Sequence, residues 1–126
     1  MEETIRILVV DDEPDIRRIC RILLENSGYT VLEAATGLEA VETIRRCPEI
    51  DLILMDIMMP VMNGYNATKR IRSMDREDAK EIPIIAMTAN AFEEDKREAI
   101  ASGMNGHIAK PIDVNELMAI LVKNTR

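Results

Sequence analysis

The chain has almost no aromatic residues: Tyr29, Tyr65 and Phe92, and no tryptophan among 126 residues. A core must therefore be assembled from Ile, Leu, Val, Met and Ala, which the apolar content of 47% can supply at this length. Positive charge is the minority, 16 basic against 23 acidic side chains, for a net charge of −7. That balance repels phosphate backbones and argues against a direct nucleic-acid partner. Cysteine is limited to Cys20 and Cys47, far apart and in no metal-ligand spacing, which fits a reducing, cytosolic compartment. The longest apolar stretch, Leu52 to Met62, is interrupted by Asp56 and is too short to span a bilayer. Met1-Glu2-Glu3 lacks the basic start of a signal peptide, so a soluble, cytoplasmic protein is expected. There is no repeat, low-complexity tract or Gly/Ser linker, and one domain over residues 1–126 is expected.

What the sequence does contain is alternation. Short apolar runs at Ile5–Val10, Thr30–Glu33, Leu52–Met55, Ile84–Met87 and His107–Ala109 have the length and branching of strands. The second is half polar and predicts an edge. Between them, Ile16, Ile19, Cys20, Leu23 and Leu24 follow the apolar spacing of a surface helix, as do Val114, Leu117, Met118, Leu121 and Val122. Weaker helical patterns occupy 37–46, 64–74 and 91–101. Pro14 suits a first helical turn, Gly28 and Ser102-Gly103 suit helix ends, and Pro48 closes the second helix. Thr36 with Glu39, Asn90 with Glu93 and Asp113 with Glu116 resemble capping boxes. The order βαβαβαβαβα implies an α/β fold, a parallel sheet wound on both faces; the pattern alone admits several strand orders.

The residues at the ends of these runs stand out. Asp11, Asp12 and Glu13 follow the first, Asp56 the third, Thr88 the fourth and Lys110 the fifth. In a parallel sheet these positions share the edge at which open α/β folds bind ligands. Clustered carboxylates repel unless a cation neutralises them, and hard oxygen ligands favour Mg²⁺. A carboxylate can attack a phosphoryl group to give an aspartyl phosphate, with Lys110 as a point charge and Thr88 as a hydrogen-bond donor. Capping accounts for Glu13 and Asp15. It does not account for Asp56, flanked on both sides by apolar residues, where an unpartnered carboxylate is costly.

These residues resemble the response-regulator receiver family of two-component signalling over essentially the whole chain. The resemblance rests on Leu8-Val9-Val10-Asp11-Asp12-Glu13, Met55-Asp56-Ile57-Met58-Met59-Pro60-Val61-Met62-Asn63-Gly64, Met87-Thr88-Ala89 and Lys110-Pro111. The wording from Ile82 to Asp113 looks most like receivers of hybrid histidine kinases, which leaves a stand-alone regulator and an excised segment both open. The resemblance implies a flavodoxin-like (βα)5 fold with strand order 2-1-3-4-5. It implies Asp56 as phosphoacceptor, assisted by Thr88 and Lys110. Asp11, Asp12, Asp56 and the Met58 carbonyl would hold Mg²⁺, with Mn²⁺ as a substitute. A cis Lys110-Pro111 bond and a loop turn permitted by Gly64 are also implied. The implied protein is not an enzyme in its own right but a phosphoacceptor that assists its own phosphorylation and dephosphorylation, with Met58 and Asn90 flanking the hydrolytic path.

Where the family often has Tyr or Phe as a switch side chain, partnering Thr88, this sequence has His107. Both a switch and a plain polar strand-end ring remain open there. His107 is the single histidine, so the phosphoryl donor must be external: a histidine kinase or a histidine phosphotransfer domain, docking near Arg17, Arg18 and Arg21 around Ile16. A downstream protein or effector domain would receive the output, from a monomer or a phosphorylation-dependent dimer, with no membrane and no nucleic acid involved. Lys69, Arg70, Arg72 and Arg76 are expected to form a solvated basic face, and the nine methionines to fill core and loop. A dehalogenase-type phosphatase would need a second Asp where Met58 stands. An FMN binder would need hydroxyls where Asp11-Asp12-Glu13 stand. A phosphorylation-independent module on the same fold would be free to lose the acceptor, the lysine or an acid; none is missing, but intact residues do not prove use, and this is the runner-up reading.

Overall fold

Each of the five apolar runs becomes a strand in a computed structural model, which describes residues 4–47, 49–89 and 93–125. They are β1 (Arg6–Val10), β2 (Thr30–Ala34), β3 (Leu52–Asp56), β4 (Ile84–Thr88) and β5 (Gly106–Ala109). All pair in parallel, in the order β2-β1-β3-β4-β5. Successive strands therefore need crossovers, and helices supply them: α1 (Pro14–Asn26), α2 (Gly37–Arg46), α3 (Gly64–Arg72) and α5 (Glu93–Ser102), while α6 (Val114–Asn124) follows the last strand and packs back on the sheet. The short helix α4 (Glu77–Glu81) was not anticipated from the sequence. Five residues are too few to show a helical period, and α3 ends at Arg72, two residues before the predicted stop.

Side-chain alternation along the strands divides the core into two layers. Leu8, Val10, Ile53, Met55, Ile84 and Ala86 face α2, α3, α4 and α5, where Val41, Ile44, Ala67, Ile71, Ala79 and Ala99 meet them. Ile7, Val9, Leu52, Leu54, Ile85 and Met87 face α1 and α6, against Cys20, Leu24, Leu117 and Leu121. β1, β3 and β4 are thus sealed on both faces, while β2 exposes Thr30 and Glu33 as an edge strand should. Cys20 is a fully buried small hydrophobe whose thiol burial pushes up to about 11, with Asp11 adding to the rise.

The helix ends follow the expected chemistry with two adjustments. Pro14 opens α1, and Gly28 and Gly103 hold φ of 91° and 109° past the ends of α1 and α5. Thr36 Oγ1 accepts from Glu39 N, but the Glu39 carboxylate reaches back to Ala35 N rather than to Thr36. Asp113 caps Asn115 N, so its box with Glu116 does not close. Pro48 and the Asn90–Glu93 box lie outside the described residues or their side chains. Among the described residues no helix is long and apolar enough to cross a membrane.

Arg72 corrects the expectation of a uniformly solvated basic face. Its guanidinium donates twice to Gly103 O (3.0 and 2.9 Å), to Ala79 O at 3.0 Å and to Asn105 Oδ1 at 2.8 Å. Asn105 Oδ1 also accepts from Ile84 N, so one side chain ties α3 to α4, to the turn after α5 and to the start of β4. Arg76 likewise is held, by Asp78 and by Arg45 O. Replacing Arg72 with Met keeps the apolar stem and leaves these half-buried acceptors without their donor. Urea unfolding should show a loss of about 2–3 kcal/mol; a loss below about 0.5 kcal/mol would return Arg72 to the solvated face.

Candidate phosphoacceptor site

Register alone brings the predicted residues to one rim. Val10 pairs with Met55, so Asp11 and Asp56 follow side by side. Asp56 pairs with Met87 and Thr88 with Ala109, which puts Thr88 and Lys110 on the same edge. Lys110 N donates to Thr88 O at 2.9 Å, extending the ladder by one residue, and the following bond to Pro111 is cis as implied.

Carboxylate oxygens of Asp11, Asp12 and Asp56 lie within 4.8 Å of one another. Asp11 is fully buried, Asp56 is 3% exposed and Asp12 opens to solvent. Lys110 Nζ sits between the two buried acids, 2.8 Å from Asp11 Oδ2 and 3.2 Å from Asp56 Oδ1. The contact with Asp56 is a hydrogen bond. The contact with Asp11 Oδ2 is close enough for an ion pair but is not directed along a hydrogen bond, so that buried oxygen accepts none. One ammonium against three carboxylates leaves the site short of positive charge, and a buried oxygen met by that ammonium alone is a ready ligand for a cation.

The electrostatics bear this out. Burial pushes the Asp56 carboxyl up to about 6, and repulsion from Asp11 adds to the rise; the attraction of Lys110 offsets only part of it. Burial alone would lower Lys110, but Asp11 and Asp56 outweigh it and its net direction is up. The lysine therefore stays charged while the Asp56 carboxylate is disfavoured by its surroundings.

The loop from Ile57 to Asn63 frames the site. Ile57 N donates to Met87 O, and Gly64 N returns to Ile57 O at 2.9 Å. Gly64 is required for close approach, not for a turn: its φ is ordinary, and an added Cβ would collide with the Asp56 carbonyl oxygen. The left-handed residue of this loop is Val61, at φ 67°. Met58 exposes its side chain to solvent, and no described donor reaches its carbonyl. Thr88 is buried at the end of β4 and shares a cavity of about 10 Å³ with His107, Ile57, Ala86, Asp95, Lys96 and Ala99. His107 pairs with Ala86, so its ring and Thr88 lie on the same sheet face beneath α5.

The arginines expected to greet a partner are mostly engaged. Arg17 and Arg21 both bind Glu33, at 3.0 and 2.7 Å, and Arg17 Nη1 also donates to Asp11 O at 2.6 Å. Among the three, Arg18 alone is exposed with no ion pair to another described residue. The i, i+4 spacing of Arg17 and Arg21 placed them on one helix face, but nothing local pointed to Glu33 as their shared partner.

A raised folded value has a definite consequence for stability. Between an unfolded value of about 4 and a folded value of about 6, the folded chain binds more protons than the unfolded one. Without metal, the contribution of Asp56 is favourable below pH 4 and is lost as pH rises through about 6. Asp56→Asn should raise metal-free stability at pH 7.5 by about 1–3 kcal/mol and flatten its decline between pH 4 and 7. Urea unfolding in chelator checks this; an unchanged or lower midpoint would contradict it.

Comparison with known proteins agrees with this geometry. Residues 7–122 match the response regulator receiver domain family. The chain is 37% identical over 121 residues to the sensor protein GacS of Pseudomonas syringae pv. syringae, covering 95% of this chain but only 13% of that protein. Its structure is similar to the chemotaxis protein CheY4 of Vibrio cholerae, with TM-score 0.90, 32% identity, and 97% and 99% of the two chains covered. It is also similar to the receiver domain of the sensor histidine kinase PA1611 of Pseudomonas aeruginosa, with TM-score 0.87, 38% identity, and 97% and 98% covered. That receiver domain holds a magnesium ion in its active-site cleft. With the sheet order, the acidic rim and the lysine all in register, the chain belongs to the response regulator receiver domain family.

Proposed function

We propose that Asp56 accepts a phosphoryl group from a phosphohistidine on a histidine kinase or histidine phosphotransfer domain, and that the resulting charge switches a downstream partner. The observation that carries this reading is Lys110 poised between Asp11 and Asp56, with three carboxylates in reach of one another and only that one ammonium to balance them. In the transfer, an Asp56 oxygen forms the new O–P bond as the N–P bond breaks, and the imidazole leaves. Lys110 offers its charge to the phosphoryl oxygens, and Thr88 a hydroxyl from the adjacent strand end.

The donor set fits a hard divalent cation: all-oxygen ligands, two of them buried, at an open rim. Asp11, Asp12, Asp56 and the Met58 carbonyl would hold Mg²⁺, or Mn²⁺ in its place, and the ion would neutralise charge on the phosphoryl group. Release of the phosphoryl group to water is assigned to the same site, with Met58 at its rim; Asn90, the other residue the resemblance implies for this step, lies outside the described residues. Thr88 and His107, which share the cavity under α5, form the relay from site to surface: new charge on Asp56 draws the threonine, and the ring follows. The domain works in the cytoplasm, as a monomer or as a dimer formed on phosphorylation.

Incubation with Mg²⁺ and a small acyl-phosphate donor, followed by intact mass and peptide mapping, should give one phosphoryl group on Asp56. Chelator or Asp56→Asn should abolish it. Lys110→Ala should still be modified but should not change conformation, as judged by amide shifts on α5 and β5. Modification elsewhere, or none, would sink the reading.

A further inference from the structure

We infer that Arg17 is a positioning residue for the acidic site, fixing the peptide plane that carries both Asp11 and Asp12; this inference rests on the proposed cation site. Arg17 lies in the first turn of α1 and its guanidinium bridges two elements. Nε donates to Glu33 Oε1 on β2 at 3.0 Å, and Nη1 donates to the Asp11 carbonyl at 2.6 Å. That carbonyl belongs to the Asp11–Asp12 peptide, so its direction sets where the two carboxylates on either side of it point. Asp11 is fully buried, leaving water little access to replace the arginine as donor.

The rest of the turn is arranged around this contact. Asp11 N donates to Ala34 O at 3.1 Å, and Glu13 N to Asp11 Oδ1 at 2.9 Å. The second bond occupies one Asp11 oxygen and leaves Oδ2 facing the site, where it accepts no hydrogen bond. Lys110 meets the Asp11 carboxylate, but among the described residues Arg17 is the side chain that hydrogen-bonds the backbone of this turn from outside it, and Glu33 holds Arg17 in place. Glu33 is in turn braced by Arg21 Nε at 2.7 Å, and Arg21 by Glu25 at 2.9 Å. The outer pairs of Arg21 are exposed enough to add little to stability, while the inner Arg17–Glu33 pair is the more buried one. The inner end of this network terminates on the peptide between two candidate ligands. Holding ligands rigid before the cation arrives is the task of residues behind a metal site.

Two readouts on the full chain test this, one without metal. In Mg²⁺-free protein, Arg17→Ala should shift the backbone amide resonances of Asp12 and Glu13, while Arg21→Ala, which breaks the same network one turn further on, should leave them in place. By calorimetric titration with Mg²⁺, Arg17→Ala should weaken binding about tenfold. Arg17→Lys, able to reach one acceptor but not both, should fall between it and the wild type, and Arg21→Ala should stay within twofold of wild type. Arg17→Ala binding within twofold of wild type, or Arg21→Ala weakening it equally, overturns the assignment. Wild-type protein that binds no Mg²⁺ overturns the cation reading instead; the amide shifts then decide alone whether Arg17 orients the turn.

Discussion

The site is governed by a charge imbalance that the fold creates and does not itself resolve. Three carboxylates end up at one edge because β1 and β3 are neighbours in register, and one ammonium reaches them from beyond β5. Burial of Asp11 and Asp56 makes the imbalance expensive, since neither has water to screen it. The surplus negative charge is what a divalent cation answers. Burial, with repulsion from Asp11 added to it, pushes the Asp56 carboxyl up to about 6, so a proton and a cation would contend for the same oxygens.

The scaffold supports this by being rigid where the site is strained. β3 and β4 are buried along their length and β1 from Ile7 onward, and the two core layers clamp these three strands from both faces. The close approach of Gly64 to the Asp56 backbone locks the loop against the strand end. Arg72 does the corresponding work at the far side, pinning the end of α5 through Gly103 while its first turn covers the small cavity beside Thr88 and His107.

Much of this was legible in the sequence, for a physical reason. Parallel strands buried on both faces leave continuous apolar runs, and the residue at the end of each run must face the ligand edge, so Asp11, Asp56, Thr88 and Lys110 could be placed together without coordinates. The strand order came from resemblance, not from pattern. What stayed hidden were contacts whose acceptors are backbone carbonyls or distant side chains. Arg72 meets Gly103 and Asn105 some thirty residues away, and Arg17 meets Asp11 O. A carbonyl is present at every residue and marks nothing. The role of Gly64 was misassigned for the same reason: a glycine in a loop suggests a turn, whereas here the obstacle is another segment's backbone.

The central claim is that a divalent ion and a proton contend for the Asp56 carboxylate. Calorimetric titration with Mg²⁺ in two buffers of different ionisation enthalpy measures this directly, because the difference between them counts protons released per ion bound. The account predicts one ion per chain, with about half a proton released at pH 6 and almost none at pH 8, the release vanishing in Asp56→Asn. Binding without proton release at pH 6, or release that persists after that substitution, would contradict it.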